Sequence, residues 1–307
     1  MKSLKLFLII LLSVLVIDKV VFFCLLQMDK RVLVGEGVGK LNHFFKVKDT
    51  TEIIFFGNSR TNHHINPKYF GHSSFNIGVN GRKIAFSSTL IHTLPKNKKQ
   101  LVVLQLDAKN IFDTLYNAED LDALAVKYHQ SIIIKKQIDN AGRNNYFSPV
   151  LWSLDYNGLV LSLASNFIRP KYNFKKYDGY DPIKNSKSQK AIFLKKLKQE
   201  SNNFECQEYY QVSKLNEKYL KDIVLFCKNN NKELIIFTAP IYNDKCKNDN
   251  IAMKSLMVSK AIKYFDFTDF YKDNSNLDNW KDVDHLSKTG AEEFSKYFAV
   301  FLKSHTP

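Results

Sequence analysis

Cysteine is scarce and scattered. Cys24, Cys206, Cys227 and Cys246 are the four in 307 residues, and no Cys or His cluster has metal-ligand spacing. That excludes a zinc finger, and no RRM signature takes its place. Acidic residues are also few, 30 Asp and Glu against 45 Lys and Arg, which leaves a net charge of +15. The excess lysine is dispersed, apart from short clusters such as Lys96-Asn97-Lys98-Lys99 and Lys195-Lys196. Dispersed charge suits lipid headgroups or an acidic polymer as well as it suits nucleic acid, and a solvated lysine-rich face is the simplest reading. No nucleic-acid partner is expected on these grounds, and no metal or other cofactor. Internal repeats and low-complexity tracts are absent too. What is left is an ordinary globular composition, 45% hydrophobic and 24% charged, in a chain long enough for a sizeable core.

The amino terminus departs from that composition. After Lys2 and Lys5, residues 6–17 are apolar but for Ser13; Asp18-Lys19 intervenes, and residues 20–26 are apolar again. As one helix, residues 6–26 would be about 31 Å long, enough to cross a bilayer core. Two central charges would cost roughly 5–7 kcal/mol, which about eighteen apolar residues can offset. A partner helix facing Asp18 and Lys19 would relieve the cost. No small-x-small cleavage site follows Ile17, and Cys24 follows Val-Phe-Phe rather than the small residue of a lipoprotein site. Residues 1–28 are therefore expected to be an uncleaved, single-pass signal anchor in contact with membrane lipid. Residues 29–50, loosened by Gly35, Gly37 and Gly39, read as a linker, and residues 51–307 as the main domain. Its expected place is the extracytoplasmic (periplasmic) side of the cell membrane, although Lys30 and Arg31 beyond the span leave the flanking charge ambiguous. Cys227 falls in an amphipathic helix, where a buried thiol is expected. Cys206 and Cys246 would pair only in an oxidising compartment, and their spacing leaves that open.

Past the linker, apolar runs alternate with helical patterns. Residues 52–56 form a strand ending at Gly57-Asn58-Ser59, and residues 75–81 hold a second short apolar segment with an Asn-Gly turn. A helix over 82–94 stops at Pro95, and LVVLQL (101–106) is the clearest buried parallel strand. Residues 111–203 are irregular and read as a mostly helical insertion. Within it, 147–168 is apolar but broken by Asp155, Asn157, Gly158 and Asn166, so no second span is expected, and 172–188 reads as a polar surface loop. Alternation then resumes with a helix over 212–229, a strand over 234–238, a helix over 251–262, a strand over 264–267 and a last helix ending near 302. This pattern predicts a three-layer α/β/α fold with a mostly parallel sheet, preceded by one N-terminal transmembrane helix.

Three polar blocks fall at the ends of these elements. Ser59 follows a buried strand at the sheet edge where open α/β folds bind ligands. Read alone, it is an ordinary turn residue; a serine becomes a nucleophile only where a histidine, an acid and oxyanion donors converge on it. His285 stands three residues after Asp282, a spacing that lets the acid fold back onto its own histidine and orient it. The bland alternative makes Asp284 and His285 loop residues that cap a helix.

Taken together, GNSRT (57–61), NIGVNG (76–81) and DVDH (282–285) resemble the SGNH/GDSL hydrolase superfamily. The resemblance covers roughly residues 51–110 and 210–303. It implies Ser59 as nucleophile, His285 as general base, Asp282 as its orienting acid, and the N–H groups of Ser59 and Gly81 in an oxyanion hole. Asn58 stands where the family more often has Asp. The family's Gly-x-Asn block is replaced by DAKN (107–110), with Lys109 in the expected place and Asn110 one residue further on as the candidate side-chain donor. An anchor joined to such a domain is similar to bacterial envelope proteins that add or remove O-acyl groups, acetyl among them, on surface polysaccharides beside a multi-spanning membrane acyltransferase. The implied function is a serine O-acyltransferase or carbohydrate esterase working on a glycan. Two other readings stand beside it: a non-catalytic glycan- or partner-binding module that kept the fold, and a basic module bound to anionic lipid or acidic polymer.

Overall fold

The computed structural model describes residues 2–71, 73–170, 174–199, 206–274 and 276–306. In chain order the helices and strands are α1 (Lys2–Asp29), α2 (Val38–Val47), β1 (Ile53–Phe56), α3 (Ser59–His64), β2 (Ser74–Asn76), α4 (Ile84–Ile91) and β3 (Gln100–Gln105). They continue as α5 (Ala108–Ile111), α6 (Ile132–Asn140), α7 (Val160–Ile168), α8 (Phe174–Tyr177), α9 (Lys187–Gln199), α10 (Lys214–Asn229), β4 (Lys232–Thr238), α11 (Lys247–Ser259), β5 (Tyr264–Asp266) and α12 (Lys288–His305). The chain divides into two units, Met1–His43 with Glu119–Asn173, and Phe44–Ala118 with Phe174–Pro307.

The second unit holds one parallel five-stranded sheet in the order β2-β1-β3-β4-β5. β1 and β2 are almost wholly buried, as are the C-terminal parts of β3 and β4, which is why β1, β3 and β4 read as continuous apolar runs rather than alternations. Ile54 lies opposite Phe75 and Val102, and Val103 opposite Ile235. Phe55, Val103, Ile235 and Phe237 belong to one core cluster with Phe294 and Phe298, which α12 presents at helical spacing. Phe237 and Phe298 pack with ring centroids 4.8 Å apart. The strand order reverses direction between β1 and β3, so the ends of these two strands border the crevice where open α/β sheets take ligands.

The loop expected over 172–188 is less superficial than its composition suggests. Residues 171–173 lie outside the described residues, but Tyr180 is fully buried in the same core cluster. The edge strand β2 explains this: the Asn76 N–H donates to the Asp178 carbonyl at 2.9 Å, and the Asp181 N–H donates to the Asn62 carbonyl at 3.1 Å. A buried edge must pair its backbone groups, and this polar segment does so. Elsewhere the stretch from 111 to 203 is largely helical where described, residues 200–203 lying outside the described residues. The glycine-bearing segment before β1 contains α2, because Val38, Leu41 and Phe44 recur at helical spacing and all three are buried.

In the first unit, α1 is the one helix among the described residues long and apolar enough to cross a membrane. Among the described residues its Asp18 meets no second long helix. The carboxylate accepts from the Trp152 N–H (2.9 Å), the Ser153 N–H (3.0 Å) and the Ser153 hydroxyl (2.6 Å), at the start of a 3-10 turn, Trp152–Tyr156. At the end of α1, buried Asp29 accepts from Lys127 Nζ (2.7 Å), Gln130 Nε2 (3.1 Å) and the Tyr156 hydroxyl (3.1 Å). Both carboxylates are thus satisfied, as buried charges must be.

Cys206 and Cys246 form a disulfide 40 residues apart in sequence, and the Cys227 thiol, buried on α10, is pushed up to about 12 by that burial. Closing a loop of this length removes unfolded-state entropy worth about 4 kcal/mol. Reduction of the full chain is accordingly expected to lower its unfolding free energy by up to roughly that amount, measured by denaturant melts with and without dithiothreitol. An unchanged midpoint would show that the loop is held by packing alone.

Candidate active site

The site is built where β1 stops. Gly57 adopts φ +146°, and a Cβ there would come within 2.3 Å of Thr61 Oγ1, so only glycine lets the chain leave the strand this sharply. Asn58 then caps α3, its Oδ1 accepting the Arg60 N–H at 2.9 Å. Its Nδ2 donates to Asp107 at 2.6 Å, which fastens the end of β1 to the N-cap of α5, two residues past β3. Asn76, the first residue of the NIGVNG block, closes the other end of α3 by donating to the Thr61 and Ile65 carbonyls at 2.6 and 2.7 Å. Ser59 is therefore the first residue of a short helix pinned at both ends.

His285 arrives from the other end of the chain. The Lys281 N–H donates to the His285 carbonyl at 2.9 Å, and Trp280 and Leu286 form an antiparallel bridge, so residues 280–286 make a tight reversal. Ser287, not Asp284 or His285, caps α12, with its hydroxyl accepting the Gly290 N–H. That leaves the Asp282 carboxylate free to accept the N–H groups of Asp284 (3.0 Å) and His285 (2.8 Å) and to hold His285 Nδ1 at 2.9 Å. His285 Nε2 stands 2.8 Å from Ser59 Oγ. With Nδ1–H donating to the carboxylate, Nε2 is the acceptor for the serine hydroxyl. Burial pushes the Asp282 carboxyl up, but the hydrogen bond and charge of His285, the Asp284 N–H and Lys281 together hold it below its ordinary value. The carboxylate is ionised at neutral pH.

No family model matches this chain, and no curated protein does. The site is read from its own geometry.

Ser59, Asp282 and His285 are in one hydrogen-bonded line. Gly81 sits in the turn after Val79 at φ +69°, a conformation glycine takes without strain. Among the described residues, neither the Ser59 N–H nor the Gly81 N–H has a protein acceptor. Asn110 is less directly placed. It lies on α5, where its N–H donates to the Asp107 carbonyl and its own carbonyl accepts from Asn216 at 3.0 Å. Its amide makes no hydrogen bond among the described residues, and Lys109, not Asn110, lines the neighbouring cleft. This cleft holds about 320 Å³ and is walled by Arg60, Asp107, Thr238, Tyr242 and Asp284 as well. Among the described residues no group of three or more His, Cys, Asp or Glu is arranged to hold a metal ion.

Sequence reasoning passes over Arg60 and Asp107. The Arg60 guanidinium lies 2.8 Å from Asp107 and 3.2 Å from Asp284, joining the end of β3 to the loop that carries His285. Gln105 donates to the same Asp107 carboxylate at 2.6 Å. A basic residue directly after the serine was the available signal, but its partners lie far away in sequence. His64 was also missed. It is fully buried, and its Nε2 accepts the Leu286 N–H at 3.0 Å, fixing the residue that follows His285.

Burial, reinforced by electrostatic coupling to His285, Arg60 and His63, holds the His64 imidazole well below its ordinary value of 6.5. The folded protein keeps it neutral, whereas the unfolded chain binds a proton below about pH 6.5. The contribution is complete above that pH and lost as pH falls below it, with a limiting slope of about 1.4 kcal/mol per pH unit. His64→Gln, which keeps an acceptor for Leu286, should flatten the slope of unfolding free energy between pH 5 and 6.5. Asp282 adds its own loss only further down, near and below its ordinary value of 3.8. Denaturant melts across pH 5–7.5 read the difference, and equal slopes for both chains would contradict it.

Proposed function

We propose that this chain is a membrane-anchored serine acyltransferase or esterase of the SGNH type. It would act on O-acyl groups, acetyl first among them, of a cell-envelope polysaccharide through an acyl-Ser59 intermediate. The observation that carries the reading is the hydrogen-bonded line from Ser59 Oγ through His285 to Asp282. In this reading the helices cover both faces of the sheet as a three-layer α/β/α domain, α1 spans the cell membrane, and the main domain faces the extracytoplasmic side. The Cys206–Cys246 disulfide supports that side, since such bonds persist in oxidising compartments.

The chemistry follows from the geometry. His285 Nε2 takes the hydroxyl proton as Ser59 Oγ attacks the acyl carbon, and the ionised Asp282 stabilises the imidazolium that forms. The tetrahedral oxyanion would be met by the N–H groups of Ser59 and Gly81. The uncommitted amide of Asn110 is the side-chain donor the reading assigns to the same oxygen. Collapse breaks the bond to the donor alcohol, which leaves with the proton from His285. A sugar hydroxyl, or water in the esterase case, then gives its proton to His285 and takes the acyl group from Ser59. A multi-spanning membrane acyltransferase is the partner that would deliver the acyl group. Arg60, bridging Asp107 and Asp284, would hold the two halves of the site in register.

A fluorophosphonate probe tests the reading. Labelling of Ser59, found by mass spectrometry and lost in Ser59→Ala, supports it. Wild-type protein that takes no label and turns over no ester would leave a non-catalytic binding module instead.

A further inference from the structure

We infer that residues 147–168 form a second membrane-embedded element, a collar packed against α1, with bilayer lipid covering its exposed apolar face. The inference rests on α1 spanning the membrane. Residues 4–23 of α1 make about 30 Å of helix, the thickness of the hydrocarbon core. Asp18 to Phe23 then occupy the last ~9 Å of that depth, and whatever packs on them is at lipid depth as well.

The collar is what packs on them. It supplies three donors to Asp18, from Trp152 and Ser153, beside the neighbouring Lys19 of α1 itself. Lys19 Nζ donates to the Val150 carbonyl at 2.5 Å and lies 4.3 Å over the Trp152 ring. Phe22 meets the Trp152 ring at 5.5 Å. Where water is absent, an ionisable side chain must find its partners inside the protein, and this segment provides them.

The outer face of the collar has the composition of a surface that meets lipid. From Arg143 to Arg169 the only charged residue between the two is Asp155, and it is buried and bonded to His129 Nδ1 at 2.8 Å. In a chain with 24% charged residues, a stretch this long on a water-facing surface would carry several. Along α7, Leu163 is buried at 1%, while Leu161 is 85% and Ile168 73% exposed, so the helix carries apolar side chains outward as well as inward, with exposed Ser162 and Ser165 between them. Such a mixed helix suits the interface, its apolar side chains in hydrocarbon and its hydroxyls in the headgroup layer. Between α1 and the start of the collar lies a groove of about 670 Å³ lined by Leu15, Val16, Lys19, Val20, Phe23, Val150 and Trp152. Exposed Tyr146 and the flanking Arg143 and Arg169 supply the aromatic and basic residues typical of a headgroup layer. The interruptions that argue against a second span, Asn157, Gly158 and Asn166, are what an element lying in the interface tolerates.

The test uses the full chain in phosphatidylcholine–phosphatidylglycerol nanodiscs, with Cys24 replaced by Ser and a bimane on Leu161→Cys, Ile168→Cys or, within α1, Leu8→Cys. Quenching by doxyl-labelled lipid several-fold stronger than by iodide is expected at all three positions. Iodide-dominated quenching at Leu161 and Ile168 with lipid-dominated quenching at Leu8 overturns the collar and leaves the anchor. Iodide-dominated quenching at all three overturns both. Unsubstituted protein gives a second readout, because Trp152 and the fully buried Trp280 are its two tryptophans. Brominated lipid should lower its tryptophan emission, and undiminished emission counts against the collar.

Discussion

Ser59→Ala is expected to lower turnover of an acyl ester by about 10⁴- to 10⁶-fold, with the fold and the disulfide intact. At 1.36 kcal/mol per decade, a 10⁴-fold loss is about 5.5 kcal/mol of transition-state stabilisation. The size of the effect follows from what the hydroxyl does. In the proposed acyl-serine reaction it makes the bond to the acyl carbon, so its removal does not weaken a contact but deletes a step. What remains is whatever the oxyanion donors and binding achieve with water as nucleophile. The substitution is structurally mild, because Ser59 is half-buried and its helix is capped by Asn58 and Asn76 rather than by its own side chain. Steady-state kinetics with a chromogenic acetyl ester measures the loss. A Ser59→Ala chain with wild-type turnover would sink the acyl-serine reading.

Asp282→Asn should cost about 10⁴-fold in kcat while leaving KM within a few-fold. Asp282 accepts from His285 Nδ1 and from two backbone N–H groups, so the loop geometry leans on its oxygens as well as on its charge. An amide retains one acceptor oxygen and can keep the loop closed. Its other atom is a donor, which pairs with an unprotonated Nδ1 and so moves the imidazole proton to Nε2. The nitrogen facing Ser59 then donates where it must accept. The double variant with Ser59→Ala should be no slower than Ser59→Ala alone, because the residues act as one unit. Full additivity of the two losses would show that Asp282 acts apart from the serine.

The parts of this site that could be read in the sequence are local. A buried strand announces itself as an apolar run, so IIFF and LVVLQL mark strand ends at Gly57 and Asp107 without any knowledge of the sheet. Asp282 and His285 are three residues apart, and one reversal of the backbone is enough to join them. The network around Arg60 could not be read this way, because Asp107 and Asp284 are brought to it by β3 and by the loop before α12. Asn110 shows the same limit. Its proximity to a motif in sequence makes it the candidate donor, but what holds its backbone in place is the tie to α10 through Asn216, a contact that no local pattern encodes. The surface reading of 172–188 holds for 184–188, which are exposed, but misses Tyr180 for a related reason: a polar segment was needed to pair the edge of β2, and the pairing carried Tyr180 into the core.

By itself, then, the sequence determined the apolar first helix, the strand runs and their parallel habit, and the polar blocks at their ends. These depend on periodicity and on residues within a few positions of one another. Only the tertiary structure decided the strand order that sets β1 beside β3, the 2.8 Å approach of His285 to Ser59, the pairing of Cys206 with Cys246, and the burial of Asp18 against Ser153. Each of these closes a long loop of chain. Such closures are selected by the packing of the whole core and by the requirement that every buried charge and backbone group find a partner.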